Sequence, residues 1–311
     1  MKTKILGIVM MLIGSLAFGQ LSSTGVSPSG VLDGVYIQQH IPTKKVVSYA
    51  SLREADVMWS KRIWRTIDVQ QKLNFPLFYP EAPLTDRMAL WDVIKYGIET
   101  EGSLTPYEII GDGKYDFDGE FLYPLLPPNG NTKDEVYRES LDAIFYSTSE
   151  VEKIGDDGEP VFDLEGDPEM IKSKKAVTAD QIVKYLVKED WFFDKQRSVM
   201  DVRIIGICPV IKQFDENGDL KEGVKPLFWL YFPECRYVFQ NYFVYNRQND
   251  AQRMSFDDLF WKRMFASFIH KESNVYDRDV KIYEQNGIKA LLQSEKIKNE
   301  MLLIEHDLWH L

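Results

Sequence analysis

The sequence has few of the residues that catalysis and metal binding depend on. Two cysteines, Cys208 and Cys235, and four histidines, His40, His270, His306 and His310, occur in 311 residues. The cysteines have no CxxC spacing and no adjacent histidine, so a thiol-redox or zinc-ribbon motif is excluded. There is no GxSxG elbow, no P-loop and no GxGxxG fingerprint. His306 and His310 would share a helix face, but Asp307-Leu308-Trp309 stands between them and the glutamate of the HExxH order is missing. Asp112, Asp116, Asp118 and Glu120 resemble a calcium loop only loosely. Lys114 stands at a ligand position and Phe117 where the template needs glycine. Carboxylates abound, with 48 acids, and none is singled out as a catalytic pair. No cofactor and no metal is expected, and the chain reads as non-enzymatic.

Basic charge is also in deficit. Lysine and arginine number 37 against 48 acids, a net charge of −11, which disfavours non-specific nucleic-acid binding. Long apolar runs are missing after the first twenty residues. Lys2 and Lys4, the apolar Ile5 to Leu16 and the small residues of Ala17-Phe18-Gly19 read as a signal peptide over 1–19, cleaved before Gln20. The apolar run is shorter than the ~20 residues that span a bilayer. Loss of Lys2 and Lys4 with the leader would take the charge to −13. No cysteine lies near the cleavage site, so lipid anchoring through this chain is not expected. An exported chain with two cysteines can form one disulfide, Cys208–Cys235; two buried free thiols are the alternative.

What the sequence does have is apolar and aromatic residues, 44% and 13% of the chain. These suffice for one large domain or two smaller ones. Residues 20–50 are polar and rich in glycine and proline, and read as an extended N-terminal arm that orders on a partner. From Ser51 the pattern changes. Ser51 and Glu54 stand in capping-box spacing, and Leu52, Ala55, Trp59 and Ile63 follow at near-helical spacing. Lys61, Arg62 and Arg65 interleave with Trp59 and Trp64. The pattern recurs at 260–265, where Lys262 and Arg263 follow Trp261. We therefore expect two amphipathic aromatic-basic helices, one from Ser51 and one over Phe256 to Ile269, each near a Pro-bounded aromatic strand. Their aromatic and basic side chains either pack in the core with Lys and Arg stems reaching water, or form an interface, since Trp and Arg are frequent binding anchors. Trp59, Arg62, Trp64, Trp261 and Arg263 are the interface candidates.

The remaining elements follow from local signals. Helices are expected over Thr85 to Ile98, from Thr132 and Glu135 to Tyr146, after Thr178 and Gln181, and from Ile288 to Leu308. Short strands are expected at Tyr107 to Ile110, Phe117 to Leu126 and Val275 to Tyr283. Ser198 to Asn246 reads as antiparallel sheet, with a tight turn at Asn217-Gly218 and aromatic strands at Leu227 to Phe232 and Tyr237 to Tyr245. The acidic stretch 151–176 reads as an exposed loop or hairpin dividing an N-terminal half, 51–150, from a C-terminal half, 177–311. The fold class is α+β, with antiparallel sheet and several amphipathic helices.

Four segments carry a resemblance: DVMWSKRIWRTID at 56–68, SFDDLFWKRMF at 255–265, ESNVYDRDV at 272–280 and EHDLW at 305–309. In these the chain resembles the GldN family, also called PorN, of the type IX secretion and gliding-motility apparatus of Bacteroidetes. The resemblance implies a periplasmic, non-enzymatic structural subunit. It would lie at the outer membrane through a lipoprotein partner like GldK or PorK, form a large ring with it, and engage the periplasmic part of the GldL–GldM motor. Some of the five interface candidates would then anchor the lipoprotein. A periplasmic glycan-binding module or hydrolase, its aromatics stacking on sugars, is the alternative.

Overall fold

The structure, a computed structural model, describes residues 45–84, 87–109, 118–131, 134–152, 170–214, 220–246, 249 and 252–308. The signal peptide, nearly all of the arm, the Thr85 and Thr132 caps, Asp112 and Asp116, the Asn217-Gly218 turn and His310 lie outside these residues. Residues 46–83 and 87–311 form one compact unit.

The strands in chain order are β1 Val57–Asp68, β2 Pro106–Glu108, β3 Tyr146–Glu152, β4 Met170–Ala176, β5 Ile182–Asp194, β6 Val199–Phe214, β7 Leu220–Pro226, β8 Phe228–Tyr231, β9 Phe243–Val244, β10 Met254–Ser255 and β11 Phe268–Glu272. The helices are α1 Phe75–Phe78, α2 Leu90–Glu99, α3 Glu135–Phe145, α4 Phe232–Phe239, α5 Phe256–Trp261, α6 Val280–Tyr283 and α7 Gly287–Asp307. Seven strands form one sheet in the order β11-β1-β5-β6-β8-β2, with β7 also on β6, and its pairings are antiparallel. This is a mixed fold of antiparallel sheet and helices, as its composition leads one to expect. The stretch 151–176 contributes β4 and the end of β3, which pair as a separate two-stranded ribbon.

The first aromatic-basic segment is a strand, not a helix. The capping-box residues commit only a short 3-10 turn at Glu54–Asp56, closed without any side-chain cap. Val57, Trp59, Ile63, Trp64, Thr66 and Ile67 then favour extended backbone through β-branching and aromatic bulk. Pairing with β5 over Val57–Asp68 satisfies the ladder. The two-residue period sends alternate side chains to opposite faces. Trp59 and Ile63 pack with Trp191, Ile269, Val280, Ile297 and Met301 beneath α7. Trp64 packs on the other face with Cys208 and Trp229.

Four further expectations are corrected by the same competition between local signals and long-range packing. The Thr178–Gln181 signal yields a 3-10 turn, and Ile182–Asp194 becomes β5, rich in Ile, Val, Tyr, Trp and Phe. Tyr237 to Tyr245 begins inside helix α4, which Pro233 opens at a position where its missing N–H costs nothing. Its Phe232, Cys235, Val238 and Phe239 are buried on one side. Val275 to Tyr283 is a turn followed by α6; Asn274 Oδ1 accepts from the amides of Tyr276 and Arg278, and Asp277 has φ 50°. Within Phe117 to Leu126, residues 118–126 form only a bridge from Pro124 to Tyr107.

The second aromatic-basic helix starts where expected, with Ser255 and Asp258 in a reciprocal capping box. It ends at Trp261, and Arg263 at φ 53° turns the chain toward β11. Helix α2 begins at Leu90 rather than Thr85, with Leu90, Trp91, Val93, Ile94 and Ile98 buried. α3 is capped by Asp134, which accepts from the Tyr137 amide. α7 matches its expected span within a residue or two. The main core joins α2, α4 and α5 to one sheet face through Trp91, Phe145, Tyr185, Phe228, Phe239 and Phe260. Each such side chain contributes roughly 1.5–3 kcal/mol of burial.

Candidate functional site

The sheet carries buried charge on both faces. On the face of Trp64, the turn at 118–121 is held down by cations. Lys188 Nζ donates to the Gly119 carbonyl at 2.7 Å, and Trp64 Nε1 donates to the Asp118 carbonyl at 3.0 Å. Lys271 Nζ reaches the Asp118 carboxylate at 2.6 Å and Asp277 at 2.8 Å. Both lysines lie over the Trp64 ring, at 5.7 and 5.0 Å. Burial pushes the Lys188 amine down to about 8, while the Lys271 ammonium, held by two carboxylates, lies above its ordinary range despite burial. Burial raises Asp118 against the pull of Lys271. Gly119 sits at φ 65°, and a Cβ there would meet the Trp229 ring at 2.7 Å, so only glycine fits.

On the opposite face Glu189 is fully buried and shared by two arginines. Arg65 Nε donates to it at 2.9 Å, Arg263 Nη2 at 2.8 and 3.0 Å, and Trp191 Nε1 at 3.0 Å. Both guanidinium groups lie over the Trp191 ring, at 5.7 and 5.4 Å. Burial, with Arg263 adding to it, lowers Arg65 from its ordinary range against the pull of Glu189. Arg65, Arg263 and Trp191 of this cluster line a groove of about 590 Å³ between the sheet and α7, together with Phe265, Phe268, Leu291 and Leu302 and the charged Lys298 and Glu305.

A second concavity, of about 350 Å³, opens beside it, and Arg263 lines both. Here Tyr49 stacks on Trp261 at 5.3 Å. Arg236 lies over both rings at 4.6 and 4.8 Å while pairing with Asp257 at 2.8 Å. Arg203 lies over Tyr49 at 5.1 Å and donates to the Ala50 carbonyl at 2.6 Å. Tyr49 and Ala50 are thereby fastened to α4, α5 and β6. Burial raises the Tyr49 phenol above its ordinary range.

None of these clusters presents a nucleophile beside a base. Among the described residues no group of three or more His, Cys, Asp or Glu is placed to hold a metal. His270 bonds Thr66 Oγ1 at 3.0 Å, and burial drives its imidazole down to about 3, so it is neutral. Among the described residues no helix is long and apolar enough to cross a membrane.

The family model for gliding motility associated protein GldN matches residues 52–310. The chain belongs to the GldN family. A search of curated proteins finds no match. The GldN match spans the sheet, the groove and all of the second concavity's lining except Ser48, Tyr49 and Ala50.

The five interface candidates of this GldN chain are dispersed by the fold. Trp64 is core, 5% exposed. Trp59 is half-buried against the cluster beneath α7. Arg62 is exposed but engaged by Asp190 through two hydrogen bonds of 2.7 and 2.8 Å. Trp261 remains 47% exposed, and Arg263 projects into the groove. Cys208 and Cys235 are both free and buried, in separate clusters, so the disulfide is not formed. Burial raises both thiols above their ordinary range. Sequence reasoning missed Tyr49, Glu189, Lys188 and Lys271. The last three are polar residues within strands, on faces that become buried only when loops and helices fold over them.

Proposed function

We infer that this member of the GldN family is a non-enzymatic, periplasmic structural subunit of the type IX secretion and gliding-motility machinery. It associates with an outer-membrane lipoprotein of the GldK or PorK kind, assembles with it into a ring, and engages the periplasmic part of a GldM-like motor protein. The observation that carries this reading is the family match over residues 52–310. The architecture supports it. A compact body with a groove on one flank and a second concavity lined by Tyr49 and Ala50 beside it offers two different surfaces, and ring closure needs unlike faces to meet. Net charge of −11 favours partners with basic surface, chiefly by steering encounter.

The test is a gentle detergent extraction of the native envelope with this protein tagged. The extracted complex is sized and its members identified by mass spectrometry. A very large particle containing an outer-membrane lipoprotein is the expected result. A monomer with no stable partner overturns the ring, and glycan arrays would then test the sugar-binding alternative.

A further inference from the structure

The groove beneath α7 carries more cations than anions: Arg65, Arg263 and Lys298 line it with Glu305, and Glu189 is bonded to both arginines. Arg65 and Arg263 converge on the single carboxylate of Glu189. One anion thus serves two guanidinium groups, each with five N–H donors. Arg65 uses only Nε and Arg263 only Nη2 among the described residues. Arg65 is 7% exposed and lines the groove. A cation at the base of an apolar cleft is costly unless an anion meets it, and a planar guanidinium meets a carboxylate two bonds at a time.

The backbone repeats the point. Arg263 holds φ at 53°, a conformation that costs a side-chain-bearing residue of order 1–3 kcal/mol. A glycine would carry this turn without that cost, yet an arginine stands here and its head lies in the groove. The walls carry Gln71, Lys298, Asn299 and Glu305 beside a run of apolar groups. Leu291 and Leu302 of α7 are 53% and 62% exposed, and face Trp191, Phe265 and Phe268 across the cleft.

We propose that this groove is the docking site for a short segment of a partner protein that presents apolar side chains around one Asp or Glu. The carboxylate takes the unused donors of Arg65 and Arg263. The flanking apolar groups cover Leu291, Leu302 and Phe268. Charge complementarity sets this occupant, because an uncharged apolar segment would leave the guanidinium donors buried and unmet, and a basic one would be repelled. The inference does not depend on ring assembly; a groove partner can exist whether or not the envelope complex is a ring.

The experiment places a photo-reactive benzoylphenylalanine at Leu302, and separately at Leu291, in the full chain in its native envelope. Val136, exposed on α3 away from the groove, is the control position. The expected result is one discrete protein adduct from both groove positions and not from Val136. Its cross-linked peptide, mapped by mass spectrometry, carries apolar residues around an Asp or Glu. Arg263→Gly keeps the turn and leaves Glu189 paired with Arg65, so the fold survives, while the adduct falls about tenfold or more. Leu302→Glu, read with the cross-linker at Leu291, gives the same loss from a residue that is exposed in the free protein. Amidation of the mapped carboxylate costs no more in combination with Arg263→Gly than alone. No groove adduct, an adduct to lipid or to this chain itself, a mapped peptide without a carboxylate, or an adduct indifferent to Arg263→Gly overturns the proposal.

Discussion

Trp64→Ala and Trp261→Ala separate packing from recognition within one sequence pattern. Trp64 is 5% exposed, wedged between Cys208 and Trp229, and its indole N–H is spent on the Asp118 carbonyl. Truncation removes that burial and opens a cavity, together about 3–5 kcal/mol for a buried Trp. It also strips the ring from beneath Lys188 and Lys271. A body of this size loses roughly 2–4 °C of melting temperature per kcal/mol, so the variant should melt roughly 6–20 °C below the parent. Trp261 is 47% exposed and gives up a stack on Tyr49 and one cation–π contact. Those contribute about 1 kcal/mol between them, a fall of roughly 2–4 °C. Thermal melts followed by circular dichroism, with urea titrations as a second probe, read both. If Trp64→Ala melts no lower than Trp261→Ala, the assignment of Trp64 to the core is wrong.

Four further outcomes follow from buried polar groups. Glu189→Gln leaves two guanidinium groups without their anion and should cost about 3–5 kcal/mol in urea unfolding; a loss below about 1 kcal/mol would show the cluster to be solvated. Lys188 keeps its proton in the folded state only up to about 8, whereas the unfolded chain keeps it to roughly 10.4. Between those limits the unfolded state binds more protons, so stability rises with pH. The urea midpoint of the parent should climb from pH 7 to 9 relative to Lys188→Met, and a flat difference would refute the shift. His270 titrates in the opposite window: neutral in the fold down to about 3, it takes up a proton on unfolding below roughly 6.5. Its contribution, present above that value, is lost as pH falls toward 3, which His270→Gln should partly abolish. Cys208 and Cys235 should not react with a thiol reagent in the native protein and should count as two free thiols in denaturant.

Much of the architecture is legible in the residues, and the failures have one physical origin. Helix α2 declares itself through Trp91 and Ile94, and α7 through its long amphipathic run. The cap of α5 is readable at Ser255. These are signals that a segment carries within itself. The Ser51–Glu54 and Thr178–Gln181 pairs are equally good local signals, yet each produces a single 3-10 turn before a strand of 12 or 13 residues. What decides those segments is each other: β1 and β5 pair over nearly their whole length, more than a hundred positions apart in sequence. A capping box offers about 1 kcal/mol. A paired strand with Ile63, Trp64, Ile67, Tyr185 and Val187 buried offers several times that. Nothing within either segment reports the partner that supplies it.

The same reasoning explains why an aromatic-basic pattern misleads about function. On a helix, Lys61, Arg62 and Arg65 would share a surface with Trp59 and Trp64, as an interface would require. On a strand they divide. Arg62 faces water and Asp190, while Arg65 turns inward beneath α7 to Glu189. Trp64 goes to the opposite face, where the cations beside it, Lys188 and Lys271, come from other strands. Of the cations in the two aromatic-basic segments, those that line the groove are Arg65 and Arg263, which lie 198 positions apart. Only the pairing of β1 with β5, followed by the left-handed turn after α5, brings those two groups to one glutamate. A binding site assembled in this way leaves no motif. Its sequence trace is Glu189, which stands between Lys188 and Asp190 but alternates with Tyr185, Val187 and Trp191 along one face of β5, and that acid is intelligible only once both arginines are seen beside it.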